Sequence, residues 1–163
     1  MAPTLEHVFT MRVYLHPDIT DLGLNASGAT RLIAGVASGS IKFENSKIEA
    51  QILPPGGDWP LVNFNANSFH IDARVRAKTD AGEIYLHYTG TVALDKGMKK
   101  ILTKAPDASS TKFGDANWFT KFNVETSDQR LKWMETNVLV SQGRWQIDEK
   151  GVAAEYLVYK LNN

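Results

Sequence analysis

Apolar and polar residues alternate along most of the chain with a period of two, the spacing of strands that bury one face. Phe69 to Ala77 is the clearest run. Phe69, Ile71, Ala73, Val75 and Ala77 fall on one face, and His70, Asp72, Arg74 and Arg76 on the other. Thr79-Asp80-Ala81-Gly82 follows as a hairpin turn, and Glu83 to Leu94 returns as the partner strand. A two-residue turn at Ala81-Gly82 sets Arg76 opposite His87 and Arg74 opposite Thr89. Leu86, Tyr88 and Val92 then join the apolar face, while Tyr85, His87, Thr89 and Thr91 join the polar one.

The same pattern predicts strands over Val8–Leu15, Thr30–Val36, Gly39–Phe43, Ile48–Leu53 and Trp118–Thr126. Further strands are expected over Thr136–Gly143, Arg144–Ile147 and Val152–Leu161. His16-Pro17-Asp18, Pro54-Pro55-Gly56-Gly57 and Asp148-Glu149-Lys150-Gly151 punctuate them as turns. Asn25 to Gly28 and Asn63 to Asn67 read as loops. Gly97 to Leu102 and Ser127 to Met134 are each expected to form a helical turn, the second opening on a Ser/Asp cap. Ala105 to Gly114 reads as a long loop over one end of the fold. About nine or ten short strands, mostly joined as hairpins, predict an all-β fold: a single closed antiparallel β-barrel over residues 1–163 with little helix.

Composition narrows the functions. The chain has 163 residues, 43% hydrophobic and 22% charged, which suits one globular domain. Eighteen basic and eighteen acidic residues give zero net charge. That argues against a large basic nucleic-acid surface and against electrostatic membrane attachment, so neither partner is expected. No apolar run reaches the ~18 residues of a membrane span, and no basic and apolar leader opens the chain, so a cytoplasmic location is expected. Without cysteine there are no thiolate metal sites, Fe–S clusters or thiol nucleophiles. Gly-rich nucleotide loops, nucleophile elbows and His-Glu-x-x-His are absent, so no cofactor is expected.

Several strings, in order along nearly the whole chain, resemble one family. Leu53-Pro54-Pro55-Gly56-Gly57-Asp58-Trp59 resembles its Leu-Pro-Gly-Gly-x-Asp-Trp signature. Ile71-Asp72-Ala73-Arg74, Val124-Glu125-Thr126, Trp133-Met134-Glu135 and the tail Tyr156–Leu161 resemble its later strings. The family is domain-of-unknown-function family 3237. The resemblance implies a calycin-like or allene-oxide-cyclase-like barrel. It also implies, from fungal members, a cofactor-independent cyclase of secondary metabolism that closes oxygen rings by adding a hydroxyl across an alkene. Val75, Glu135 and Phe119 depart from the family pattern of Tyr, Asn and Arg, as expected of a rebuilt pocket.

Asp58 follows a stiff Pro-Pro-Gly-Gly corner beside Trp59. It is read either as a general acid with a raised pKa or as a turn cap, with Trp59 as an aromatic wall or a barrel plug. The polar hairpin face carries Asp72, Arg74, Tyr85 and His87. It reads as a solvated outer face or as the lining of a polar pocket. In the pocket reading Arg74 or His87 works with Asp58, while Arg74 also pairs with Asp72 to orient a substrate oxygen and Tyr85 helps to bind substrate. The apolar face would then need cover, for which a homodimer is the simplest source. His70, Asp72 and His87 are the residues a metal would use, although none is expected. Lys121 and Glu125 share a strand face and suit handling of a phenol or alkoxide, or simply solvent. Trp133 and Glu135 are placed on another strand face as substrate contacts, with Glu125 and Glu135 as reserve acids.

Three functions compete. The first is the cyclase, acting on a polyketide, terpenoid or prenylated aromatic. The second is a non-catalytic, lipocalin-like small-molecule binding protein, and the third an oligomer without ligand. A carboxylate and a second titratable group in one pocket favour the first. A dry apolar lumen favours the second, and a filled lumen the third.

Overall fold

The computed structural model describes residues 1–163. Its strands are β1 (Thr4–Leu24), β2 (Thr30–Phe43), β3 (Glu49–Asp58), β4 (Leu61–Asn63), β5 (Ser68–Lys78), β6 (Glu83–Ala93), β7 (Trp118–Thr126), β8 (Leu139–Asp148) and β9 (Gly151–Asn162). One helix, α1 (Lys96–Leu102), and a 3-10 turn over Gln129–Glu135 complete it. The pairings run β1-β9-β8-β7-β6-β5-β3-β2, and β2 pairs again with β1. The chain is therefore all-β, a barrel-like ring of antiparallel strands. β4 continues the line of β3 between β2 and β5 after a break at Trp59-Pro60.

The hairpin settles which face points inward. Phe69, Ile71, Ala73, Val75 and Ala77 are buried, whereas His70, Arg74 and Arg76 are exposed. The apolar side fills the ring, so no second copy is needed to cover it. Residues 79–82 form the turn, with the Thr79 N–H donating to the Gly82 carbonyl at 2.8 Å. Arg76 therefore lies opposite Tyr85 and Arg74 opposite His87, two residues away from the register of a two-residue turn. A shift of two keeps every side chain on its expected face.

Several strands run longer than their sequence pattern predicts, because breaks in pattern are bulges rather than ends. β1 continues through His16-Pro17-Asp18, where its pairing with β2 shifts register between Leu15 and Ile19. β2 runs through Gly39, where a Cβ would lie 2.2 Å from the Arg12 carbonyl oxygen. β3 runs on through the Pro-Pro-Gly-Gly corner, whose Pro54–Pro55 peptide is cis, to end at Asp58. Trp133 and Glu135 lie in the 3-10 turn, not on a strand.

Both ends of the ring are covered. At one, the 3-10 turn inserts Leu131 and Met134, each 2% exposed. It is tied down by Asp128, which accepts from Thr79 at 2.7 Å and from the Arg130 Nε at 2.9 Å. At the other, α1 inserts Met98, and the following loop bonds Thr111 and Ser110 to the backbone of Trp145 and Ile147. Trp118 lies flat on Gly143, where a Cβ would sit 2.5 Å from the indole ring. Gly143→Ala is expected to destabilise the fold by about 1–3 kcal/mol, a typical cost of overpacking, read from urea unfolding.

Candidate functional site

Asp58 is the last residue of β3, paired with Ala34 of β2 and Ala73 of β5. Two small inward neighbours leave its carboxyl free space. That space is a cavity of about 20 Å³ inside the ring, lined by Asp58, Tyr88, Trp118 and Tyr156 together with Phe69, Trp145 and aliphatic walls. It has room for about one water molecule. The remaining interior is packed: Tyr88 stacks on Phe122 at 4.7 Å, and Tyr156 meets Tyr88 and Trp118 at 5.2 and 5.6 Å between ring centroids.

Asp58 as a residue is half-buried, but burial is the largest influence on its carboxyl and raises its pKa to about 7. The Asp72 backbone N–H, donating to Asp58 Oδ1 at 3.0 Å, opposes the rise. The Asp72 charge adds to it, and the Trp59 N–H and Arg31 charge oppose it. Burial first, and then the Asp58 charge, pushes the Tyr88 phenol above its usual range. Burial, Tyr88 and Asp58 do the same to Tyr156. Both phenols therefore stay protonated donors near neutral pH. Trp118 is 1% exposed and its Nε1–H has no hydrogen-bond partner. A buried donor left unpaired is costly, which marks it as available to a guest oxygen. The cluster offers one carboxyl that exchanges a proton near neutrality, two phenols and an indole donor.

The other expected site residues lie elsewhere. Asp72 accepts from His87 Nε2 at 2.9 Å and from Arg74 at 3.0 Å, on the outside of the ring. Burial raises the Asp72 pKa, but the His87 hydrogen bond and the Arg74 charge outweigh it and hold the carboxyl below its usual range. Arg74 also sits 5.8 Å from the Trp59 ring centre. The side chains of Arg74 and His87 are thus not brought into the Asp58 cavity. The link between the two clusters is Asp72, which bonds Asp58 with its backbone and the outer pair with its side chain.

Tyr85, Lys121 and Glu125 are exposed on the outer face. Tyr85, Glu125 and Glu135 line a broad open groove there, where Arg76 pairs with Glu83 and Lys132 with Glu135. Hydrogen bonds from Lys132 and then the Thr126 N–H hold Glu135 below its usual range, so it is ionised at neutral pH. Trp133 lies under Lys160, 5.9 Å from its ring centre. His70 hydrogen-bonds Thr91 at 3.0 Å, and no three His or carboxylate groups converge as a metal set. Sequence reasoning missed Tyr88, Tyr156 and Trp118 as site residues. Their signal was a polar-tipped aromatic at a core-facing strand position.

No helix is long and apolar enough to cross a membrane. Among curated proteins the chain is similar to PR-toxin biosynthesis cluster protein 7 of Penicillium roqueforti, 23% identical over 112 residues. The match spans 68% of this chain and 60% of that protein's length. Among solved structures it is similar to a conserved protein of unknown function from Rhodopseudomonas palustris, with a TM-score of 0.79 at 20% identity over 99% of this chain and 100% of that one. A beta-barrel-like protein from Acinetobacter baumannii gives 0.74 at 23% over 99% and 98%. An enzyme from Penicillium herquei gives 0.66 at 12% over 99% and 96%. These likenesses carry the fold. A family profile described as Protein of unknown function (DUF3237) matches residues 3–161, and the chain belongs to that family.

Proposed function

We propose that this protein is a cofactor-independent enzyme that closes an oxygen ring on a polyketide, terpenoid or prenylated aromatic by intramolecular hydroalkoxylation. The observation that carries this reading is the Asp58 carboxyl, held near pKa 7 among aromatic rings. A carboxyl poised there delivers and recovers a proton without a large driving-force penalty. The protonated Asp58 gives its proton to one carbon of an electron-rich alkene, forming a C–H bond. The substrate hydroxyl oxygen forms the C–O bond at the other carbon and releases its proton to the Asp58 carboxylate. The product has the mass of the substrate and the acid is restored. Aromatic faces shelter the developing positive charge, and the Trp118 N–H, Tyr88 and Tyr156 orient substrate oxygens. A biosynthetic role agrees with the distant fungal relative and with the Penicillium enzyme of similar fold.

A binding protein without chemistry is the second reading. It is favoured by the cavity wall, of which ten of twelve residues are hydrophobic, and opposed by the cavity's size of about 20 Å³, so the interior must open to admit any guest. The two readings separate on incubation with prenylated phenols and hydroxy-alkene terpenoids. A new chromatographic peak of unchanged mass supports the enzyme, and full recovery of every substrate with saturable binding supports the carrier.

Asp58→Asn is expected to lower turnover about 10²–10⁴-fold, the usual worth of general acid catalysis, while kcat/KM of the parent declines above about pH 7. Turnover within about threefold of the parent would remove Asp58 from the chemistry. The same change separates titration from catalysis. Between pH 3.8 and about 7 the folded chain holds a proton on Asp58 that the unfolded chain has released. The unfolded state then binds fewer protons, so the parent loses stability as pH rises through that window and levels off above it. Asp58→Asn has no such titration, so its melting temperature should gain on the parent between pH 4 and 7, as scanning calorimetry in matched buffers would show. Trp118→Phe, which keeps a ring but removes the donor, is expected to lower kcat about tenfold in a chain that still folds.

A further inference from the structure

We propose that the covered end of the ring beside α1 holds a binding subsite for a small organic anion with an apolar body, opening onto the Asp58 cavity. The inference deepens the enzyme reading and rests on it for the role of Asp58, but not for binding. The space has a structural origin. β1 leaves its partner β9 after Tyr14 and continues alone with β2. The overhang, the β8–β9 turn and α1 then enclose about 340 Å³. That lies within the range of small-molecule sites, about 300–1,000 Å³.

The walls are apolar: Leu15, Ile19, Ile101, Leu102, Trp145 and Val152. The two formal charges in the lining, both lysines, are of one sign. Lys104, Lys150 and His16 line the space, and no carboxylate does. Lys104 Nζ donates to the Pro17 carbonyl at 3.1 Å and makes no ion pair. The nearby carboxylates lie outside the lining: Asp18 is 3.8 Å from His16, and Asp148 is bonded by Tyr14 and the Lys150 backbone N–H. In a chain of zero net charge, this end presents ammonium groups around a hydrocarbon wall. The fitting occupant is a hydrophobic carboxylate or sulfonate, with its rings or chain inside and its anionic group at the lysines.

Continuity with the chemistry comes from two shared residues. Leu15 and Trp145 line both this space and the Asp58 cavity. Trp145 is held to α1 by its Nε1–H, which donates to Met98 Sδ at 2.8 Å. A thioether is a weak acceptor, so this hydrogen bond adds little to the packing against Trp118, 5.0 Å between ring centroids, that holds the indole in place. A guest that displaces the indole from this packing would join the two spaces and bring its reactive end to Asp58.

The test uses 8-anilinonaphthalene-1-sulfonate, an aromatic anion, titrated into the full chain with fluorescence and tryptophan quenching as readouts. One equivalent is expected to bind. Ile19→Trp and Val152→Trp, which fill the space, should each weaken binding at least about tenfold. Lys104→Gln combined with Lys150→Gln should weaken the sulfonate about tenfold but change the uncharged N-phenyl-1-naphthylamine by less than about twofold. These are surface changes, so they keep the test decisive if a filling variant fails to fold. Asp58→Asn should leave sulfonate affinity within about twofold, so turnover unchanged in that variant with binding intact faults only the acid assignment. Absence of saturable binding, or equal affinity in the lysine variant, overturns the subsite.

Discussion

A ring of eight strands has an interior barely wider than the side chains that fill it. Every inward position here competes for the same space. Most take large residues, and Phe122, Tyr88, Tyr156 and Trp118 pack ring against ring. Asp58 stands between Ala34 and Ala73, and these small neighbours keep a gap that the aromatics do not close. The gap is too small for solvent to enter as a phase. The carboxyl is therefore poorly hydrated, and its ionised form is penalised. The raised pKa, the protonated phenols and the unpaired indole donor all follow from that confinement.

One residue acts on Asp58 in opposite directions. The Asp72 backbone N–H stabilises the Asp58 anion, whereas the Asp72 carboxylate destabilises it. The carboxylate is itself fixed on the outer face by His87 and Arg74. An outer ion cluster is thus coupled to an inner acid across a single strand, with no outer side chain entering the cavity. The break after Asp58 serves the same end. Trp59 N–H turns to the Asp72 carbonyl, and Pro60 has no N–H to pair, so the backbone line resumes only at β4. Asp58 therefore sits at a strand terminus yet is braced on both sides.

The parts of this fold that were legible in the sequence were the local ones. Alternation over 69–77 and 118–126 sorted the residues into two faces but left open which one points inward, and the turn error at 79–82 did no harm because it moved the register by two. Strand ends were misjudged at Pro17, Gly39 and Pro54-Pro55, since the residues that punctuate strands also make bulges within them. Trp133 and Glu135 were misplaced because Asp128 caps a 3-10 turn that carries through to Glu135. Asp58 stood out through its corner. Its companions did not, since Tyr156 reaches Tyr88 only after the last strand crosses the ring, and spacing along the chain carries no trace of that meeting. Arg74 and His87 lie near Asp58 in the sheet, but the pleat sends them to the other side.

The two ends of the ring differ in the way a buried acid requires. The end away from Asp58 is sealed by Leu131 and Met134 and by charged hydrogen bonds among Asp128, Arg130 and Thr79. The end near Asp58 is closed by α1, a neutral contact between Trp145 and Met98, and a space that side chains leave unfilled. Opening costs least where closure rests on a weak thioether acceptor and an underpacked wall. A cation formed during ring closure must meet its own hydroxyl rather than water, which favours a site that is dry when shut. A site that is dry when shut needs a door, and Leu15 and Trp145, which line both spaces, stand between the α1 end and the one carboxyl that lines the inner cavity.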